Sequence, residues 1–177
     1  ATLGAVIADL RTHCPTIDLV VVDDGSTDHT PEVAARAGVA VVHLPERLGV
    51  GTAVRVGLRY ARRHGYDAAI RVDGDGQHGA ADVARLLAPL VDGRADVGLG
   101  SRFLGPTTQR TTTRRWAQRT LALGLRLVVG HPVTDPTSGF CAVGPRALRY
   151  LAEHHPTGYA EPELRLLLGR GGFVVQE

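Results

Sequence analysis

The chain has 177 residues, 44% of them hydrophobic and 21% charged, with a formal net charge of +2, enough for one apolar core and a single domain over residues 1–177. Only 5% of the residues are aromatic and no nucleic-acid motif occurs, so a nucleic-acid partner is not expected. No apolar run of about 18 residues and no charged-then-apolar leader is present, which predicts a soluble, cytoplasmic chain without a membrane span or secretion signal.

Residues 1–11 set Leu3, Val6, Ile7 and Leu10 on one helical face, so the sequence opens in a helix and a first strand is missing from the expected series. Apolar runs follow at 19–22, 39–42, 68–72 and 97–99, each trailed by a turn and then by helical periodicity. That alternation marks β-α units around a mostly parallel central sheet, with helices covering both faces. One helix turns Val54, Leu58 and Ala61 to the sheet, and the next turns Val83, Leu86, Leu87 and Leu90. Residues 104–113, rich in Thr, Gly and Pro and without period, read as a loop. A longer helix is predicted over 113–129, with an apolar second half behind the cluster Arg110, Arg114, Arg115 and Arg119. Guanidinium groups fit phosphate oxygens bidentately, and the same cluster also reads as a solvated helix face. Shorter helices at 145–153 and 163–168 and a strand at 173–176 complete a Rossmann-like, three-layer α/β/α design. Cys14 and Cys141 have neither metal-ligand nor redox spacing and suit a reducing compartment.

In such a sheet ligands gather beyond the carboxyl ends of the strands, so the residues just after each strand carry the chemistry. The first run ends in Asp23, Asp24, Gly25, Ser26, Thr27 and Asp28, then Thr30 and Pro31. Most of that segment reads equally as a turn and helix cap, with Pro at the first helical position. Two consecutive carboxylates at a strand end repel each other unless a ligand or backbone donors hold one of them. The third run ends in Asp73, Gly74, Asp75, Gly76, Gln77 and His78. Two carboxylates and an amide oxygen on a glycine-rich loop outline a hard-cation site for Mg²⁺ or Mn²⁺, although an Asp-Gly-Asp-Gly run is also a common turn. His78 closes this loop, whereas His13, His43, His64, His131, His154 and His155 show no ligand spacing and read as surface or packing residues.

These segments together resemble the family 2 glycosyltransferases of the GT-A fold, especially the branch with polyprenyl-phosphate mannose and glucose synthases. The resemblance runs through residues 21–28, 72–78, 100–103, 134–140 and 158–163, in the family's order. It implies that Asp23 and Asp24 lie at the nucleotide, and that Asp73, Asp75 and Gln77 face a divalent cation and the diphosphate. Arg102 would add a fixed positive charge there, as phosphate contact and catalytic group. Gly49 and Gly51, before a helix, would bring backbone N–H groups to the nucleotide-sugar. Asp135 and Ser138 would lie beside the acceptor, and Asp135, Glu161 and Glu163 are rival general bases, the two glutamates reading equally as carboxylates at a helix start. The family usually has Asn where Arg47 stands, and usually begins with a strand and ends with a basic segment that this sequence lacks at its two ends.

The activity implied is a metal-dependent, inverting transfer of a sugar from a nucleotide-diphosphate sugar. Its acceptor would be a lipid phosphate held by Arg114 and Arg115 at a membrane surface, or else a sugar or other hydroxyl. Arg114 and Arg115 precede an apolar stretch, which suits peripheral attachment to a membrane and equally suits a helix packed on the domain. Two other functions fit the same residues: a nucleotidyltransferase, against which stands the absence of a lysine-bearing phosphate loop, and a non-catalytic nucleotide-sugar-binding module.

Overall fold

A computed structural model describes residues 2–100, 139–158 and 160–177, the side chains of 160–162 excepted. In chain order the elements are α1 (Thr2–His13), β1 (Val20–Asp23), α2 (Thr30–Arg36), β2 (Ala40–His43), α3 (Val50–Arg63) and β3 (Ala69–Arg71). A 3-10 turn (Ala80–Asp82) leads into α4 (Val83–Val91), followed by β4 (Val97–Leu99), β5 (Cys141–Val143), α5 (Pro145–His154), α6 (Ala160–Arg170) and β6 (Val175–Gln176). The helix predicted over 113–129 and the loop over 104–113 lie outside the described residues.

Local chemistry explains where the helices begin. Asp28 Oδ1 accepts from both the amide and the hydroxyl of Thr30, at 3.0 and 2.6 Å, and Pro31 occupies the first turn, where its missing N–H leaves no bond unmade. The Thr30 hydroxyl, and then its amide, hold the Asp28 carboxyl below its ordinary value. Residues 28–31 are thus the cap that the sequence suggests.

β1 pairs with β2 in parallel, and β4 with β6 in parallel, as expected of most of the sheet. Between β3 and β4 lies β5, antiparallel to both, a strand the sequence did not announce. β5 is buried throughout and its side chains divide between two cores. Cys141 and Val143 join Val97 and Leu99 of β4 under Leu58 and Ala61 of α3, the α5 leucines Leu148 and Leu151, and Leu164 and Leu168 of α6. On the opposite face Ala142 and Phe140 pack with Ile70 and Val72 against Val83 and Leu86 of α4, with Leu10 of α1 and Cys14 alongside. Helices therefore cover both faces, which is why the strands read as continuous apolar runs rather than alternating ones. Leu148, Leu151 and Leu168 are fully buried, and truncating any of them to Ala costs about 3 kcal/mol. α3 packs against both β1 and β3 and so spans the two ladders. Among the described residues no helix is long and apolar enough to cross a membrane.

Candidate active site

α3 leaves the carboxyl end of β2 and runs back along the sheet to the start of β3, so the tips of β1, β2 and β3 and the start of α3 lie on one side. The sequence's two carboxylate clusters both fall there.

At the tip of β1 the carboxylates turn inward. Asp23 has a side chain only 1% exposed; its Oδ1 accepts from the Ser26 amide at 3.3 Å, and its Oδ2 lies 2.6 Å from His43 Nδ1. An ionised carboxylate only accepts, so Nδ1 carries the proton of that bond. Asp24 uses both oxygens on backbone, Oδ1 accepting from Leu48 N at 2.7 Å and Oδ2 from Gly49 N at 2.9 Å. Repulsion between the two neighbours is offset by these four donors. Gly25 makes the arrangement possible: its φ is +63°, and a Cβ there would start 2.5 Å from the Glu46 carbonyl carbon. The turn after β1 is therefore clamped to the loop that starts α3. Gly51, in the first turn of α3, lies against Pro156 and Thr157 so closely that an added Cβ would sit 2.5 Å from the Pro156 oxygen.

At the tip of β3 the first carboxylate is held and the second is open. Asp73 Oδ1 accepts from Arg71 Nε at 3.0 Å, and His78 Nε2 stands 3.6 Å from Oδ2, an electrostatic contact rather than a good hydrogen bond. His78 first, and then the Arg71 guanidinium, hold the Asp73 carboxyl below its ordinary range, against the upward push of burial. The His78 ring is itself buried and stacks on Phe140, with centroids 4.7 Å apart and planes at 14°. Asp75 is exposed; its Oδ1 accepts from the Gln77 amide at 3.0 Å, and its Oδ2 has no hydrogen-bond partner among the described residues. Gln77 is exposed beside it. The α1 side chains Thr2, Leu3 and Val6 back Gly74 and Gly76, so the loop rests on a helix rather than hanging free.

Among the described residues no group of three or more His, Cys, Asp and Glu side chains converges as a metal cage. Asp73, Asp75 and Gln77 offer oxygen donors only. A set that leaves most positions to water and phosphate oxygens suits Mg²⁺ or Mn²⁺, which keep part of their hydration, and it fits neither zinc nor copper.

The structure thus brings Asp23, Asp24, Gly49 and Gly51 together at one tip and Asp73, Asp75 and Gln77 at the other. Arg47 is exposed, as is Glu163, whose carboxylate lies near Gly158. Arg102, Arg110, Arg114, Arg115, Arg119, Asp135 and Ser138 lie outside the described residues, and so does the side chain of Glu161. Two residues at the tips were not singled out by sequence. His43 was read as a packing residue, but the β1–β2 register places it directly beside Asp23. Arg71 is the one cation in the apolar run 68–72; its guanidinium grips Asp73 and lies against Gly139.

Comparison with known proteins places this arrangement. Residues 1–151 match the model described as "Glycosyl transferase family 2". The chain is 32% identical over 152 residues to polyprenol monophosphomannose synthase of Mycolicibacterium smegmatis, an alignment covering 79% of this chain and 56% of that protein. It is 32% identical over 155 residues to undecaprenyl-phosphate mannosyltransferase of Micrococcus luteus, covering 84% and 63% respectively. The chain therefore spans little more than half the length of these relatives. Glucosyl-3-phosphoglycerate synthase of Mycobacterium tuberculosis, solved with phosphoglyceric acid, superposes with a TM-score of 0.70 at 26% identity, covering 96% of this chain and 61% of the other. A structure of the same enzyme with Mn²⁺, UDP-glucose and phosphoglyceric acid gives 0.60 at 27% identity, covering 82% and 52%. With two strand-tip carboxylate clusters on one side of an α/β/α sandwich and a family match over residues 1–151, the chain belongs to glycosyl transferase family 2 and has its GT-A fold.

Proposed function

We propose that the protein is a divalent-metal-dependent glycosyltransferase that moves a sugar from a nucleotide-diphosphate sugar to a polyprenyl phosphate, with inversion at the anomeric carbon. The observation that carries this reading is the loop after β3: Asp75 offers an open carboxylate beside the braced Asp73, on the same side of the sheet as the start of α3. The named relatives act on polyprenol and undecaprenyl phosphates, and the Mn²⁺ and UDP-glucose of the structural neighbour support a metal and a nucleotide-sugar here.

Each tip has a task in this scheme. Asp75, with Gln77 and Asp73, would hold the cation; once bound it supplies positive charge against the departing diphosphate. Arg71 and His78 keep Asp73 ionised and fixed in place. Asp24 holds Leu48 and Gly49, and with them the first turn of α3, where backbone N–H groups favour an anion. Arg102 adds charge near the diphosphate. An acceptor phosphate oxygen forms the new bond to the anomeric carbon while the bond from that carbon to the diphosphate breaks, its electron pair leaving with the diphosphate. A phosphate acceptor is already anionic and needs no base. A hydroxyl acceptor would need one, and Asp135, Glu161 and Glu163 are its candidates. Arg114, Arg115 and Ser138 would hold the acceptor, and the apolar residues after those arginines support peripheral attachment to the cytoplasmic face of a membrane.

Calorimetric titration of the full-length protein with UDP, GDP and ADP, with and without Mn²⁺, tests the donor side. Metal-dependent binding of a diphosphate, lost in Asp75→Ala, is the expected outcome. Metal-independent binding points instead to a binding module, and a preference for triphosphates to a nucleotidyltransferase. Incubation with radiolabelled sugar nucleotides and polyprenyl phosphate tests the acceptor: the expected product is lipid-soluble, and its absence with every donor overturns the lipid assignment.

A further inference from the structure

We infer that His43 is the group through which the β1–β2 tip meets the nucleoside of the donor, with Asp23 as a positioning residue acting through it. The inference rests on the donor reading above. Asp23 cannot readily present itself to a ligand, because its side chain is 1% exposed and both oxygens already accept bonds. The imidazole in front of it is 55% exposed and sits at the strand tip, in register with Asp23. Other histidines behave differently: the rings of His13, His64 and His154 bond carbonyls one turn back in their own helices, at 3.0, 2.8 and 2.9 Å. His43 instead reaches across to a buried carboxylate, 2.6 Å away.

That partner decides what the ring can do. Because the carboxylate accepts, it fixes the proton on Nδ1 and leaves the Nε2 lone pair, which has no hydrogen-bond partner among the described residues, facing outward as an acceptor. The complementary ligand group is an N–H of a base or a ribose O–H. A phosphate oxygen is the wrong partner, since it too accepts and would face a buried negative charge behind the ring. Selection at this tip therefore falls on the nucleoside half of the donor, while the diphosphate half is left to the β3 loop and the start of α3.

Titration of the full-length protein in Mn²⁺ with UDP and GDP, and in parallel with inorganic pyrophosphate, tests the assignment. His43→Ala, an exposed substitution, is expected to weaken the nucleoside diphosphate that binds by about tenfold and to leave pyrophosphate unchanged. Asp23→Asn presents an amide that donates to Nδ1 and moves the ring proton to Nε2, so a similar loss is expected from a reversed tautomer with the imidazole still present. The double variant should be no weaker than either single one, because both remove the same contact. Unchanged nucleoside diphosphate affinity in His43→Ala overturns the inference and leaves the donor reading standing. An equal loss of pyrophosphate binding also overturns it, by showing general damage to the tip. A wild-type protein that binds no nucleoside diphosphate brings down the donor reading itself.

Discussion

The tips of β1 and β3 carry the same chemical material, a pair of carboxylates next to glycine, and use it in opposite ways. At β1 both carboxylates are consumed by the protein, Asp23 by Ser26 and His43, Asp24 by Leu48 and Gly49. At β3 one is consumed, Asp73 by Arg71 and His78, and Asp75 keeps an oxygen for a ligand. The first tip is an organised wall and the second an open hand. The difference lies in what faces each strand end: a backbone loop with free N–H groups and a cross-strand histidine at β1, solvent at the far side of the β3 loop.

The contrast predicts that mutations at β1 act on stability and those at β3 act on ligand binding. Gly25→Ala should have the largest effect, about 3 kcal/mol, because it combines a left-handed backbone with a Cβ driven into the Glu46 carbonyl; chemical denaturation measures it. Asp24→Ala should cost about 2 kcal/mol by the same measurement, from two backbone N–H groups losing a charged acceptor. A loss as small as that of an ordinary surface substitution would erase the distinction between the tips. Asp73 gives a smaller, pH-dependent signal in the metal-free protein. Its folded value lies below the unfolded one, so its contribution to stability is present above the ordinary carboxylate range and fades as pH falls through the lowered value. His78→Phe keeps the stacking on Phe140 and removes the imidazole, so the Asp73 titration, followed by NMR of the carboxyl carbon, should move upward. Asp75→Ala should be the smallest, within about 0.5 kcal/mol of wild type in denaturation, while removing metal-dependent nucleotide binding.

Much of this fold was legible because its signal is local and repeated. The apolar runs at 19–22, 39–42, 68–72 and 97–99 became β1 to β4 within a residue or two, and the stripes Leu58–Ala61 and Val83–Leu86 went into the two cores. β5 was missed because three residues of modest apolarity carry no period, and because an antiparallel strand inside a β-α series breaks the rule that made the others readable. The run at 173–176 shortened to Val175–Gln176 because Phe173 turns into the core and stacks near Tyr150. At the candidate site the positions of the aspartates were legible, and their orientation was not. Nothing near Asp24 in sequence reveals that its partners are the amides of Leu48 and Gly49, and His43 acquires meaning only from the parallel register with Asp23. Pairings of that kind depend on two segments some twenty residues apart meeting in space, which no spacing rule encodes.

The packing of Gly51 against Pro156 and Thr157 ties the opening of α3 to the linker that enters α6. With no side chain between them, a shift of a few tenths of an ångström in one backbone is passed directly to the other. The donor end and the chain approaching Glu161 consequently travel as one rigid block, and any opening and closing during turnover must be absorbed beyond that seam.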